Sequence, residues 1–178
     1  MLVGAASILA GVLYTGGPRP YGYEGLGEAF VFLFFGIVAV AGSYFVQVKH
    51  LSWEAFALAV PVGLLAAAIL VVNNVRDIDT DRRAGKRTLA VRFGRTRTRR
   101  MFALIVYVAY LLTPVTWLFG SLTAWLMLPW LTLPLAAAVV RTVRNRTDGP
   151  SLNNALARSG MLQLAFCTLL AAGLLLSR

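Results

Sequence analysis

Three aspartates stand at alternate positions in the segment NNVRDIDTDRR, residues 73–83. Asp77 and Asp81 are four residues apart, so in a helix they share a face with Asn73 one turn earlier, whereas Asp79 points away. Like charges on one helical face repel each other, and the arrangement is costly unless a cation binds between them. Mg²⁺ suits this position because it takes one or two protein carboxylates and completes its octahedron with water and substrate phosphate.

Basic residues next to the aspartates supply the second half of a phosphate site. Arginine and lysine pair with phosphate oxygens that carboxylates alone would repel, and Gly85 permits a turn that brings them back towards the aspartates. The candidates are Arg76, Arg82, Arg83, Lys86 and Arg87. The spacing and residue types therefore predict a site for magnesium and a phosphorylated ligand.

The composition places this site in a membrane protein. Hydrophobic residues make up 58% of the 178 residues and charged residues 13%, against about 25% charged in soluble domains. The net charge of +10 comes from basic residues between apolar segments, so we expect anionic lipid or phosphate as the partner and no nucleic acid. One alternative stays open, in which the aspartates only moderate a basic segment that binds lipid headgroups.

Six apolar segments set the expected architecture. A helix needs about 20 residues to cross the hydrocarbon core, and only helices or closed barrels satisfy backbone polar groups there. The segments show no strand-like alternation, and they predict an all-α, polytopic transmembrane bundle forming one domain over residues 1–178, with the first helix truncated. They are roughly 1–14, 28–48, 53–72, 101–119, 121–140 and 161–177, and the main connecting loops are about 15–27, 73–100 and 141–160.

The basic residues also predict the orientation of the bundle. Ten of them lie between Arg76 and Arg100, inside one of the three loops, whereas the opposite side keeps only Lys49 and Arg178. Lys and Arg favour cytoplasmic loops, so we expect these three loops to face the cytoplasm of a multi-pass protein in the cell (plasma) membrane. On the third segment, Ala55, Ala59 and Gly63 recur every four residues, which favours close approach of a neighbouring helix.

Two stretches resemble a known family. NNVRDIDTDRRAGKRTLAVRFG, residues 73–94, resembles the second aspartate-rich motif of the UbiA-type membrane prenyltransferases. It has the form of this motif that is typical of the dihydroxynaphthoate polyprenyltransferase branch. YTGGPRPYGYEGLGEAFVFLFFG, residues 14–36, is similar to the same branch. The resemblance covers essentially the whole chain.

The resemblance implies a fold, a reaction and site residues. The fold is a nine-helix bundle, and the reaction is Mg²⁺-dependent transfer of a polyprenyl group from polyprenyl diphosphate to 1,4-dihydroxy-2-naphthoate, with decarboxylation to a demethylmenaquinol. It implies that Asp77 and Asp81 bind the metal and act in catalysis with Lys86. Substrate binding is implied for Asn73, Asn74, Arg76, Arg82, Arg87, Tyr14, Arg19 and Tyr21. Aromatic faces such as Tyr14, Tyr21 and Tyr23 would shield a carbocation, unless they serve only to pack the loop.

The sequence departs from the implied family pattern at its beginning. It holds six apolar segments and one aspartate cluster, so we expect a carboxy-terminal portion of the family fold that is inactive alone for want of the first aspartate-rich motif. Glu24 and Glu28 do not replace that motif, because Gly25 and Gly27 interrupt a helix there. A prenyltransferase for another aromatic acceptor, such as 4-hydroxybenzoate, and a non-enzymatic protein that binds anionic lipid remain alternatives.

Overall fold

The computed structural model describes residues 2–17, 20–119 and 123–177, and these residues form a helical bundle without strands. Its helices are α1 (Leu2–Thr15), α2 (Gly27–Val48), α3 (Trp53–Arg83), α4 (Leu89–Leu112), α5 (Ala124–Asn145) and α6 (Gly149–Leu176). A short helix, Val115–Phe119, follows α4, and a 3₁₀ turn, Tyr21–Glu24, precedes α2. Five spans, the third running from Leu89 to Trp117, are long and apolar enough to cross a membrane, and α1 is a shorter apolar helix. The predicted all-α architecture is therefore confirmed.

Helix α3 is the centre of the bundle and packs against α2, α4 and α6. Its amino terminus is capped by Ser52, whose hydroxyl accepts a hydrogen bond from the Ala55 amide at 3.1 Å, which satisfies one of the free amides of the first turn. Val72 and Val75 are completely buried in a core shared with Phe102 of α4 and Phe166 of α6. This packing fixes the carboxy-terminal turns of α3, where the aspartates lie.

The closest approach between α2 and α3 occurs at a pair of glycines, as the repeat of small residues predicts. A Cβ atom added to Gly36 would lie 2.6 Å from the Gly63 Cα and 3.0 Å from the Ala59 carbonyl oxygen. The contact falls within Phe32–Val38, where α2 adopts a wider π-helical geometry. Only residues without side chains allow two backbones to come this close.

The loops predicted over 73–100 and 141–160 are wrong. Helix α3 continues to Arg83 and α4 begins at Leu89, so only a turn over residues 84–88 separates them. Likewise, α5 ends at Asn145 and α6 begins at Gly149. Thr88 and Asp148 cap the helices that follow the two turns, Asp148 accepting from the Ser151 amide at 2.9 Å. The last turns of α3 remain helical because Val75 and Ile78 are buried in the bundle. Which side of a membrane these turns face remains a prediction.

The glycine contact gives a test of the packing. Gly36→Ala should lower the free energy of unfolding by about 1–3 kcal/mol, because the added methyl group forces two backbones apart. Gly42→Ala is the matched control in the same helix, since no atom lies within 4 Å of a Cβ added there. Reversible unfolding in mixed micelles measures both variants, and equal stability of the two would contradict the close contact.

Candidate functional site

The last two turns of α3 bring Asp77 and Asp81 to one face and turn Asp79 away from them. The side chain of Asp77 is 32% exposed and that of Asp81 is 9% exposed, whereas that of Asp79 is 67% exposed. Asp79 pairs instead with Arg95 at 2.7 Å and with Arg82 at 3.6 Å. The geometry expected from the four-residue spacing is therefore present, and Arg82 lies on the side of Asp79.

Arg76 is the cation nearest to Asp77 and makes a two-pronged contact with it. Its Nε donates to Oδ1 at 2.7 Å and its Nη2 to Oδ2 at 2.6 Å. The same guanidinium donates to the Asn73 side-chain oxygen and, across to α6, to that of Asn153, both at 2.8 Å. Sequence reasoning missed Asn153, because the contact joins residues 77 positions apart.

Lys86 returns to the carboxylate of Asp81 through the turn after α3. Gly85 adopts a φ of 73°, which favours glycine, and the Lys86 amide donates to the Asp81 carbonyl oxygen at 2.9 Å. The ammonium group then lies 3.0 Å from Asp81 Oδ1 and 4.8 Å from the centre of the Tyr23 ring. The hydrogen bond to Asp81 raises the pKa of Lys86 above its ordinary value.

The segment before α2 forms a wall of the same site. The Arg87 amide donates to the Tyr23 carbonyl oxygen at 2.7 Å, and Arg92 pairs with Glu24 at 3.2 Å. These contacts hold the turn Tyr21–Glu24 against the start of α4. The side chain of Arg87 is exposed, and Arg19, also predicted to bind substrate, lies outside the described residues.

Tyr14 and Tyr21 line an apolar groove, and Tyr14 also lies near the carboxylates of Glu28 and Asp81. Tyr21 stacks on Phe30 with ring centres 4.1 Å apart, and its hydroxyl donates to the Ala10 carbonyl oxygen at 2.7 Å. Burial raises the pKa of the Tyr21 phenol. The groove has a volume of about 620 Å³ and is also lined by Phe34 and Phe35.

A second apolar groove reaches the site directly. Its volume is about 530 Å³, and it lies between α2, α3 and α6, with Val31, Leu70 and Leu156 among its lining residues. Asn73, the hydrogen-bond partner of Arg76, also lines it. An apolar chain can therefore lie in this groove with a polar head beside Asp77 and Arg76.

The sequence predicts magnesium at this site, an ion that needs few ligands from the protein. Among the described residues no group of three or more His, Cys, Asp or Glu side chains could hold a metal ion. Magnesium takes one or two carboxylates and leaves its other positions to water and phosphate. Asp77 and Asp81 provide two such carboxylates on one helical face, with Arg76 and Lys86 beside them.

Comparisons with known proteins show which proteins the chain is similar to. The model of the UbiA prenyltransferase family matches residues 1–166. A 1,4-dihydroxy-2-naphthoate octaprenyltransferase of Mycobacterium tuberculosis is 42% identical over 172 residues, covering 97% of this chain and 58% of that protein. Its namesake in Mycobacterium leprae is 38% identical over 177 residues, covering 99% of this chain and 59% of that protein.

Another relative is similar over a shorter region. A UbiA prenyltransferase domain-containing protein 1 homolog of Drosophila melanogaster is 39% identical over 133 residues, which are 75% of this chain and 36% of that protein. The chain spans 58–59% of the length of the two mycobacterial relatives.

The pairing of Lys86 gives a test of the site's electrostatics. Asp81→Asn should lower the pKa of Lys86, because the charged partner that favours the ammonium form is gone. A raised pKa in the folded state stabilises the fold at neutral pH, and this contribution is lost as pH rises through that pKa. Titration of the ¹⁵Nζ resonance of Lys86 measures the change, with Asp79→Asn as control. An unchanged pKa in Asp81→Asn would contradict the contact.

Proposed function

The chain belongs to the UbiA prenyltransferase family, and from this premise we propose that the protein transfers a polyprenyl group to 1,4-dihydroxy-2-naphthoate. The donor is a polyprenyl diphosphate, and the ring loses its carboxylate as carbon dioxide. The observation that carries the proposal is the position of Asp77 and Asp81, each beside a cation, at the polar end of an apolar groove. The names of the mycobacterial relatives support the choice of acceptor.

We propose that Asp77 and Asp81 hold Mg²⁺ through their carboxylate oxygens. When bound, the metal neutralises charge on the diphosphate as it departs. Each carboxylate already faces a cation of its own chain, at 2.6 Å for Arg76 and 3.0 Å for Lys86. These cations can turn from carboxylate to phosphate, because a guanidinium and an ammonium group bind both kinds of oxygen.

The role proposed for Arg76 and Lys86 is to stabilise the leaving diphosphate. Breaking the carbon–oxygen bond of the donor leaves negative charge on the diphosphate, and cations already in place lower the barrier. Asn73 and Asn153 hold the guanidinium of Arg76 through 2.8 Å hydrogen bonds, which keep it at this end of the site before substrate binds. We place the polyprenyl tail in the apolar grooves beside α2, whose volumes are about 620 and 530 Å³.

The remaining parts of the proposal concern the setting. Five membrane-length helices suit a bilayer, and we propose the plasma membrane with the aspartate end of α3 on the cytoplasmic side. Activity assays use the protein made from its complete reading frame. We expect residues 1–178 to be inactive alone, because they carry one aspartate cluster and the family resemblance implies two.

The aspartates give the first test of the function. Asp77→Asn and Asp81→Asn should each lower prenyl transfer by at least about a hundredfold, since each removes a charged ligand oxygen at the developing diphosphate charge. Asp79→Asn should retain most activity, because Asp79 faces Arg95 and solvent. Membranes holding equal amounts of each variant are assayed with polyprenyl diphosphate and dihydroxynaphthoate. Full activity of the Asp77 and Asp81 variants would exclude them from the site.

Removal of the metal gives a second test. Chelation with EDTA should abolish turnover, and added Mg²⁺ should restore it, because two carboxylates and a diphosphate repel one another without a divalent cation. Parallel assays with 4-hydroxybenzoate identify the acceptor. Turnover that persists after chelation would contradict the metal requirement, and preference for hydroxybenzoate would move the protein to another acceptor class.

A further inference from the structure

A buried carboxylate lies one helix away from the aspartates and has half of its hydrogen-bonding capacity free. Glu28, in the first turn of α2, is 6% exposed. Its Oε1 accepts a hydrogen bond from the Asn74 side-chain amide at 2.9 Å. Its Oε2 is buried and has no hydrogen-bond partner among the described residues. A buried oxygen without a hydrogen bond costs free energy, so we expect a bound group to donate a hydrogen bond to it.

The surroundings of Glu28 select the kind of donor. None of the ion pairs of the described residues includes Glu28, since Arg76 and Lys86 pair with Asp77 and Asp81. A phosphate or carboxylate group would be repelled at Oε2 for want of a nearby counter-ion. A hydroxyl group can donate there without adding charge. The chemistry of the position therefore favours a neutral ligand with a hydroxyl group.

Glu28 lies close to residues that line both apolar grooves. Val31, one turn further along α2, lines both of them. On the facing helix, Asn74 holds the Glu28 carboxylate while its neighbour Asn73 lines the second groove. Glu28 thus lies close to residues that line the grooves, and its partner Asn74 stands three residues before Asp77 on α3, about one helical turn away.

We propose that Glu28 binds a ring hydroxyl group of the aromatic acceptor and thereby orients the ring towards the allylic carbon of the donor. This inference rests on the proposed function and names a residue for its second substrate. The acceptor's carboxylate then points away from Glu28, because like charges repel, and towards the cations at the end of α3. Glu28 thereby distinguishes an aromatic ring with a hydroxyl group, which can donate a hydrogen bond to it, from the diphosphate, which has no such donor.

The reaction balances without net proton transfer to Glu28. The carbon–oxygen bond of the donor breaks, and its electron pair leaves with the diphosphate. A ring carbon of the acceptor forms the new carbon–carbon bond, and the acceptor's carboxylate leaves as carbon dioxide and returns its bonding pair to the ring. After the carbon–carbon bond forms and before carbon dioxide leaves, positive charge develops on the ring hydroxyl group. A hydrogen bond from this hydroxyl group to the Glu28 carboxylate stabilises that charge.

Glu28→Gln tests this role with little change of shape. The glutamine oxygen can still accept from Asn74, but the group is neutral. We expect the KM and the dissociation constant for 1,4-dihydroxy-2-naphthoate to rise about tenfold or more, as for loss of a hydrogen bond to a charged group. The KM for polyprenyl diphosphate should stay unchanged. Glu54→Gln is the matched control, since Glu54 lies in the first turn of α3, at the opposite end of that helix from the aspartates.

Acceptor analogues separate binding from a merely structural role. With 1-hydroxy-2-naphthoate and 4-hydroxy-2-naphthoate, each lacking one hydroxyl group, the difference between wild type and Glu28→Gln should vanish for one analogue and persist for the other. An equal loss with both analogues, or an unchanged constant for the dihydroxy acceptor, would overturn the proposal. If Glu28→Gln fails to accumulate in membranes, Glu28→Asp, which withdraws the charge by one methylene group, takes its place with the same outcomes.

The outcomes also distinguish this inference from the proposed function. Failure of the wild-type protein to prenylate dihydroxynaphthoate would remove the proposed function. The equilibrium binding of the three naphthoates, followed by their fluorescence, would still decide whether Glu28 recognises a ring hydroxyl group.

Discussion

Two carboxylates can stand at the end of an apolar helix because each has a cation of its own chain beside it. Asp77 faces Arg76 at 2.6 Å, and Asp81 faces Lys86 at 3.0 Å. Partly buried charges without partners would unwind the end of α3 or force their neutralisation. With these partners, α3 stays helical to Arg83, and its last two turns hold a fixed arrangement of acids and bases. The turn at Gly85 and the wall at Tyr23 both depend on that helical end.

The same pairing explains how the proposed diphosphate site can include acidic residues. Arg76 and Lys86 pair with the two carboxylates and lie within reach of a phosphate ligand. Asn73 and Asn153 orient the guanidinium of Arg76 through hydrogen bonds. Apolar grooves on either side of α2 supply space for an isoprenoid or an aromatic ring. Charge at one end of an apolar groove is the arrangement that a polyprenyl diphosphate requires. Glu28 adds a carboxylate of a different kind, with one oxygen held by an amide and the other buried without a hydrogen-bond partner among the described residues.

Local patterns in the sequence predict the helices and the aspartate geometry, because both depend on neighbours within a few residues. Apolar length gives the spans, and the four-residue spacing gives the shared face of Asp77 and Asp81. Polarity alone misleads over 73–100, since polar residues beyond the bilayer length remain helical where apolar neighbours such as Val75 and Ile78 pack into the bundle. The contacts of Arg76 with Asn153 and of Glu28 with Asn74 join residues 77 and 46 positions apart. No pattern in one sequence reveals such pairs, because tertiary packing alone brings them together.

Direct observation of the metal tests the central claim, that Asp77 and Asp81 bind the cation that holds the diphosphate. The protein from its complete reading frame, bound to Mn²⁺ and a non-hydrolysable polyprenyl thiodiphosphate, can be examined by anomalous X-ray diffraction. The account predicts a metal peak at about 2.1 Å, the usual distance for such ions, from an oxygen of Asp77 or Asp81, with Asp79 outside the coordination sphere. A peak on Asp79, or diphosphate bound with no metal near Asp77 and Asp81, would contradict it.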